Sequence, residues 1–242
     1  MMAPPVLFRV SDQIAEITLN RPERRNAINQ QMLVHLYNAL DQVAAQAEIR
    51  AAVITGHGPS FSAGLDLDAI GRENLFDPRG DGNDLPDVFH NCKKPIIAAV
   101  NGHAITGGFE LALNCDFIIA AENAQFIDSH ARVGIHPGWG MTQLLQQTVG
   151  QRRAKQISFT CQPIYAQTAL AWGLVNEVMP KEHLLDRAKT VAAQIAKADA
   201  QLLGVIKTLI ENQNSSPLEE AFDAERRGFR QFLKDQINRF KT

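Results

Sequence analysis

A carboxylate and a glycine pair in the middle of the chain have the types and spacing that suit proton transfer beside a carbonyl group. Glu110 follows Gly107-Gly108 and begins an apolar segment with helical spacing that runs to Cys115. Because Gly107 and Glu110 are three residues apart, they lie on one helical face, with a backbone N–H donor beside the carboxylate. Removal of a proton next to a carbonyl needs this pair, since the carbonyl oxygen gains negative charge as the proton leaves.

A strand and a turn precede this carboxylate. Residues 96–100 form an apolar run that predicts a buried strand, which ends at Asn101-Gly102. A glycine turn between a buried strand and a helix aims backbone N–H groups at a ligand. An earlier segment repeats this order, since Gly56 precedes Ala63-Gly64 as Gly102 precedes Gly107-Gly108, at offsets of 102 − 56 = 46 and 107 − 63 = 44. Two such turns, repeated at ~45 residues and lying side by side, would offer two N–H donors to one oxygen.

The remaining apolar patterns predict a mixed α/β chain with a helical end. Strands are predicted at 6–10, 14–19, 51–55, 116–120, 124–127 and 173–178, and helices at 29–46, 141–149, 152–158 and 166–172. Residues 71–87, rich in glycine, proline and charges, predict a mobile surface loop. The sequence Ser216-Pro217-Leu218-Glu219 is a capping box that begins a last helix with an apolar stripe of Leu218, Phe222, Phe229, Phe232, Leu233 and Ile237. This stripe needs a partner surface, either its own domain or a neighbouring subunit.

Composition excludes several classes of function. The chain has 242 residues, 45% hydrophobic and 21% charged, and a net charge of −2, which argue for a globular protein and against nucleic acid as the main partner. No apolar run is long enough to span a bilayer, and the first residues lack the features of a signal peptide. The three cysteines and the histidines show no metal-binding spacing, and the odd cysteine count indicates reduced thiols in the cytoplasm.

Five segments together resemble one known family. They are Leu19-Asn20-Arg21-Pro22 with Asn26-Ala27, Phe61-Ser62-Ala63-Gly64-Leu65-Asp66, Lys94-Pro95 through Glu110-Leu111-Ala112 with Cys115-Asp116, Gly134-Ile135-His136-Pro137-Gly138, and Ala171-Trp172-Gly173-Leu174-Val175. In these motifs the chain resembles the crotonase superfamily, the enoyl-CoA hydratase/isomerase family. The resemblance covers nearly the whole chain, and its combined spacing is specific although no single motif is.

The resemblance implies a fold, a ligand and an assembly. The fold is α/β, a crotonase-like spiral of repeated ββα units with a helical C-terminal region. Residues 1–185 would form this core with the acyl-CoA site, and residues 186–242 a helical oligomerisation region. The protein would be a homo-trimer or a hexamer, and its substrate an acyl-CoA thioester. Coenzyme A would enter as part of that substrate, with no other cofactor and no metal.

The resemblance also implies the site residues. The thioester oxygen would lie between the N–H groups of Ala63 and Gly107, and the substrate would contact Gly64, Leu65, Asp66, Arg24, Arg25 and Trp139. Arg24 and Arg25 would reach the phosphates of coenzyme A, or they are simply solvated. Glu110 aligns with the first of two glutamates in the hydratases of this family. His130 occupies the position of the second glutamate, and Thr106 replaces a glycine that is frequent there.

His130 is a structural residue or a second acid–base group, because imidazole titrates near neutral pH. In a strand, Asp128, His130 and Arg132 would face one side, so Asp128 would orient His130 or pair with Arg132. The main hypothesis is an enoyl-CoA hydratase that adds or removes water across the 2,3 bond through a stabilised enolate, with Glu110 and His130 as catalytic residues. The alternatives are a double-bond isomerase that uses Glu110 alone and a non-catalytic acyl-CoA-binding protein.

Overall fold

The computed structural model describes residues 3–212, 214 and 216–236, with only the backbone described for 233–236. The chain divides into two compact units, Met1–Ala198 and Asp199–Thr242. In the described part, the strands are β1 (Val6–Ser11), β2 (Ile14–Leu19), β3 (Ala51–Gly56), β4 (Ser60–Ser62), β5 (Ile96–Val100), β6 (His103–Ile105), β7 (Phe117–Ala121), β8 (Gln125–Ile127), β9 (Ile164–Tyr165) and β10 (Glu177–Met179). The α-helices are α1 (Gln30–Ala45), α2 (Leu85–Asn91), α3 (Gly107–Leu113), α4 (His130–Val133), α5 (Met141–Val149), α6 (Gln151–Thr160), α7 (Ala166–Ala171), α8 (Leu184–Ala196), α9 (Ala200–Asn212) and α10 (Leu218–Gln236).

The strands of the first unit form two sheets that arise from a repeated strand pair. One sheet has the order β1-β2-β3-β5-β7-β10, and the other has the order β4-β6-β8-β9. In each repeat the first strand joins the larger sheet and the second strand joins the smaller one, so β3, β5 and β7 run parallel, as do β4, β6 and β8. Helices α3 and α4 follow the second and third pairs. This arrangement confirms the predicted α/β spiral of repeated units.

Both faces of the larger sheet are buried, which explains the unbroken apolar runs of its central strands. Alternate side chains of β5 face opposite ways: Ile97 and Ala99 pack with Leu184 and Ala188 of α8, whereas Ala98 belongs to the main core on the other face. Helix α8 therefore lies in the first unit, although the sequence analysis assigned residues from 186 onward to the C-terminal region.

Segment 71–84 differs from its predicted character, because backbone and side-chain hydrogen bonds hold it on the N-terminus of α1. Gln30 donates its backbone N–H to Glu73 Oε2 at 2.7 Å and its side-chain amide to the Pro78 carbonyl at 2.9 Å, and it accepts the N–H of Asn74 at 3.2 Å. Arg79 forms ion pairs with Asp41 and Asp81. The predicted mobile loop is thus an anchored segment, and the later part of the predicted loop begins α2 at Leu85.

The second unit consists of α9 and α10, which contact one another. Their exposed apolar side chains are Leu202, Val205, Ile206, Ile210, Leu218, Phe222, Phe229 and Phe232. The side chains of Leu233 and Ile237, predicted to extend this stripe, lie outside the described residues. Within the part that the structure describes, no helix is both long enough and apolar enough to cross a bilayer.

Candidate active site

A cavity of about 340 Å³ lies where the two glycine-bearing turns meet α3 and α4. One part of its wall is polar and includes Glu110, His130, Thr106 and Ser129. The other part is mainly apolar and consists of Leu65, Leu67, Ile70, Leu75, Phe76, Val133, Ile135 and Trp139. The site therefore combines two titratable groups with a surface that suits a hydrocarbon chain.

Glu110 projects from the first turn of α3 and is almost fully buried, with 2% of its surface exposed. Its Oε1 accepts the backbone N–H of Trp139 at 2.9 Å and that of Met141 at 3.2 Å. Burial raises the pKa of Glu110, while these two hydrogen bonds and the nearby His130 act in the opposite direction. One oxygen is thus fixed by the backbone, and Oε2 is left facing His130.

His130 begins α4 and does not lie in a strand, so the predicted alternation with Asp128 and Arg132 is wrong. The chain turns after β8, and the Asp128 carboxylate nevertheless reaches the ring, with Oδ1 at 2.7 Å from Nδ1. The same Oδ1 accepts the backbone N–H of His130 at 3.1 Å. Arg132 donates instead to the Cys161 carbonyl at 2.6 Å. Of the two partners considered for Asp128, the structure therefore shows His130.

Asp128 is an ionised group behind the cavity wall. Burial acts to raise its pKa, but hydrogen bonds from His130 and Ser158 outweigh this effect and lower the pKa. On the other side of the ring, His130 Nε2 lies 3.6 Å from Glu110 Oε2. That distance is too long for a direct hydrogen bond. A water oxygen about 2.8 Å from each atom would bind both at once, at the apex of a triangle.

The two glycine-bearing turns pack against one another, and their glycines make this possible. A Cβ on Gly108 would lie 2.4 Å from the Ser62 carbonyl oxygen, and one on Gly64, where φ is +87°, would lie 2.6 Å from that of Ile105. A Cβ on Gly107 would lie 3.4 Å from the backbone nitrogen of Leu65. Larger residues would push the turns apart.

The prediction that Ala63 supplies one of the two N–H donors is wrong. The Ala63 N–H donates to the Arg25 carbonyl at 2.9 Å and is therefore occupied. The N–H groups of Leu65 and Gly107 have no acceptor among the residues that the structure describes, and both residues line the cavity. Leu65 thus takes the place predicted for Ala63, while Gly107 lies where the sequence placed it.

The predicted substrate contacts fall into two groups. Leu65 and Trp139 line the cavity, whereas Gly64, Asp66, Arg24 and Arg25 do not. Asp66 is buried and accepts from Arg21 at 3.0 Å and from Arg24 at 3.1 Å. Arg24 also pairs with Asp68 at 2.5 Å. Asp66 therefore braces two arginines beside the first turn, and the contact of Arg24 and Arg25 with coenzyme A stays a prediction.

Three cavity features were missed by sequence reasoning. Phe76 contacts Trp139, with ring centroids 6.3 Å apart, although it lies in the segment predicted as a loop. Thr106 has φ +49°, which is rare for a β-branched residue. Its hydroxyl lies 2.5 Å from that of Ser129. Replacement of a glycine by Thr106 was the available signal for this contact, whereas nothing in the sequence marked Phe76.

Comparisons with known proteins agree with this geometry. A family model described as Enoyl-CoA hydratase/isomerase matches residues 9–240. A probable peroxisomal enoyl-CoA hydratase 1 of Arabidopsis thaliana is 38% identical over 207 residues, 84% of this chain and 76% of that protein. A 1,2-epoxyphenylacetyl-CoA isomerase of Escherichia coli is 34% identical over 232 residues, 91% of this chain and 87% of its own. An enoyl-CoA hydratase structure from Mycobacterium tuberculosis superposes with a TM-score of 0.87 at 32% identity, and the match covers 93% of this chain and 88% of that one.

Proposed function

The chain belongs to the enoyl-CoA hydratase/isomerase family of enzymes, and from this membership we propose that it adds water to, or removes it from, the 2,3 bond of an acyl-CoA thioester. The observation that carries the proposal is the 3.6 Å gap between Glu110 Oε2 and His130 Nε2. Two acid–base groups at this separation can hold one water molecule between them, which is what hydration requires. Coenzyme A enters as part of the substrate.

The N–H groups of Leu65 and Gly107 would hold the thioester oxygen. Both face the cavity without an acceptor among the described residues, and the packing of the two turns fixes their spacing. When a nucleophile adds to the β-carbon, the π electrons move toward this oxygen and form an enolate. Each preorganised donor typically contributes roughly 3 kcal/mol to such a transition state. These backbone donors replace the predicted pair of Ala63 and Gly107.

The acid–base step would use Glu110 and His130 together. One group takes a proton from water as its oxygen bonds to the β-carbon, and the other delivers a proton to the α-carbon as the enolate collapses. The apolar part of the wall, including Trp139 and Phe76, would exclude bulk water and hold the acyl chain. The chemistry thus needs no group beyond the chain and its substrate.

A second candidate reaction is migration of the double bond, with Glu110 alone as proton carrier. It is favoured by the fixation of Oε1 on two backbone N–H groups, which leaves Oε2 as a single free oxygen that can serve neighbouring carbons in turn. The E. coli relative named as an isomerase is consistent with this chemistry on the same fold. His130 would then only shape the cavity.

One experiment separates the two reactions and tests both. The protein is incubated in heavy water with a panel of enoyl-CoA thioesters that differ in chain length and double-bond position, and the products are analysed by mass spectrometry. Hydration adds the mass of one heavy-water molecule, whereas isomerisation shifts the double bond with deuterium exchange only. Binding of the panel with neither turnover nor exchange would refute both reactions and leave an acyl-CoA-binding protein.

A further inference from the structure

We propose that Asp128, which lies outside the cavity, is a positioning residue that fixes His130 as a base, with its proton on Nδ1 and its Nε2 lone pair toward Glu110. In the resting enzyme Glu110 then carries the acidic proton. The use of this arrangement rests on the proposed hydration, whereas the tautomer itself does not and can be measured separately. The inference assigns a direction to proton flow that two equivalent groups would leave open.

The first step concerns the ring nitrogen that faces Asp128. Its carboxylate is ionised and can only accept hydrogen bonds. At 2.7 Å from Oδ1, His130 Nδ1 must therefore be the donor. The backbone N–H of His130 donates to the same oxygen at 3.1 Å, and Ser158 also bonds the carboxylate. Because Asp128 is 1% exposed, water cannot readily compete for these contacts.

The second step concerns the opposite nitrogen. A neutral imidazole has one N–H, so a proton on Nδ1 leaves a lone pair on Nε2. That lone pair faces the Oε2 atom of Glu110 at 3.6 Å. The pairing leaves His130 ready to accept a proton from a molecule bound between the two side chains.

The third step decides which of the pair holds the mobile proton. A buried ion pair is favourable only with close, well-directed hydrogen bonds, which a 3.6 Å separation does not provide. The charged groups around the ring are Asp128 and Glu110, while Glu73 lines the same cavity and accepts from Gln30. Among the described lining residues there is no lysine or arginine that would favour ionised Glu110. Protonated Glu110 beside neutral His130 therefore avoids burying two further charges.

These steps give a balanced reaction. The water O–H bond breaks, its proton goes to Nε2 of His130, and its oxygen bonds to the β-carbon. The π electrons move to the thioester oxygen held by Leu65 and Gly107, and when they return the α-carbon takes the proton from Glu110 Oε2. Glu110 is then ionised and His130 is protonated, with Asp128 stabilising the imidazolium. A following water between the two atoms returns the proton to Glu110.

Nitrogen-15 NMR of histidine-labelled protein tests the tautomer. The His130 signals are assigned from their loss in His130→Gln, and spectra are recorded near pH 9, well above the ordinary imidazole pKa of about 6.5. We expect Nδ1 to be protonated and Nε2 bare. A proton on Nε2 in the parent would overturn the inference whether or not the protein turns over any thioester, so this result stands apart from failure of the proposed function.

Variants test the use of the tautomer. Asp128→Asn should lower kcat by ~10²-fold with KM within about threefold, and the His130 nitrogen signals should move toward a mixture of tautomers. Ser158→Ala, which removes a contact of Asp128, should change the signals and kcat in the same direction by less, whereas Thr160→Ala on the same helix α6 should change neither. If Asp128→Asn folds and keeps both the parent tautomer and the parent kcat, Asp128 is not a positioning residue. If it does not fold, the parent spectrum and Ser158→Ala decide.

Discussion

Glu110 Oε2 and His130 Nε2 face one another at 3.6 Å inside a wall that is otherwise mostly apolar. The two residues come from helices that follow successive repeats of the spiral, α3 and α4. Their backbones are held independently, Glu110 by the repeat before it and His130 by the Asp128 carboxylate. The gap between them is therefore set by the packing of two repeats, and it should persist when either side chain is changed.

Replacement of the proton carrier should abolish most turnover without loss of binding. Glu110→Gln retains size but cannot carry a proton at neutral pH, so kcat should fall by ~10²-fold or more. Acyl-CoA affinity, measured by calorimetry, should stay within about threefold, because the oxygen is held by backbone N–H groups. Glu73→Gln is the matched control, since Glu73 lines the same cavity but bonds Gln30. Parent-like turnover in Glu110→Gln would show that another group moves the proton.

The two buried carboxylates should make opposite contributions to stability as pH changes. The raised pKa of Glu110 means that its contribution is present below the ordinary glutamate pKa of about 4.3 and is lost as pH rises through the raised value. The lowered pKa of Asp128 means that its contribution is present above about 3.9 and is lost as pH falls through the lowered value. Urea denaturation should therefore show Glu110→Gln gaining stability relative to the parent from acid to neutral pH, and Asp128→Asn losing it. Parallel trends for the two variants would contradict the assigned directions.

A methyl group between the two backbone donors should impair catalysis more than folding. The Cβ of Gly107→Ala would lie 3.2 Å from Trp139 and 3.4 Å from the nitrogen of Leu65, where the thioester oxygen is proposed to bind. We expect kcat/KM to fall by ~10²-fold, the effect of losing one donor. Gly228→Ala is the control, since a Cβ at that position meets no atom within 4 Å. Unchanged kcat/KM in Gly107→Ala would exclude this position for the oxygen.

Thr106 should prove to be strained. At φ +49° a β-branched residue costs about 1–3 kcal/mol, whereas glycine adopts this conformation freely. Thr106→Val keeps the strain and loses the hydroxyl contact with Ser129, so it should be less stable than Thr106→Gly in urea denaturation. Equal stability of the two variants would mean that the backbone relaxes at this residue.

The apolar side chains of α9 and α10 should mediate assembly. We expect a trimer or hexamer by sedimentation, and loss of that state when residues 217–242 are deleted. A monomer of 26.7 kDa at micromolar concentration would contradict the prediction. A folded truncated protein with unchanged assembly would place the interface elsewhere.

The sequence predicted the spiral and Glu110 because both depend on local patterns. Apolar runs, glycine pairs and helical spacing are written within about twenty residues of one another. The amide of Leu65 was harder, since residues two apart in an extended segment face the same side and Ala63 fits that pattern equally well. Only the pairing of Ala63 N–H with the Arg25 carbonyl distinguishes them, and that contact joins distant parts of the chain.

His130 shows a second kind of limit. Its neighbours Asp128 and Arg132 fit a strand by alternation, but the chain begins α4 there because the Asp128 carboxylate accepts the backbone N–H of His130 at 3.1 Å. A carboxylate two residues before a helical N–H competes locally with strand pairing. The backbone donors that fix Glu110 come from Trp139 and Met141, about thirty residues later, and no spacing rule marks them.

Glu110 is a tie in the wall as well as a proton carrier, because its Oε1 holds the backbone of Trp139 and Met141. Evolution therefore cannot move the Trp139 side of the cavity to fit a longer or bulkier acyl chain without displacing the catalytic oxygen as well. The opposite side, residues 67–76, has no such bond to Glu110 and is held instead through Gln30 at the start of α1. Mutational epistasis with Glu110 should accordingly be strong at Trp139 and weak across 67–76, which makes that segment the part of the wall free to diverge as relatives acquire new substrates.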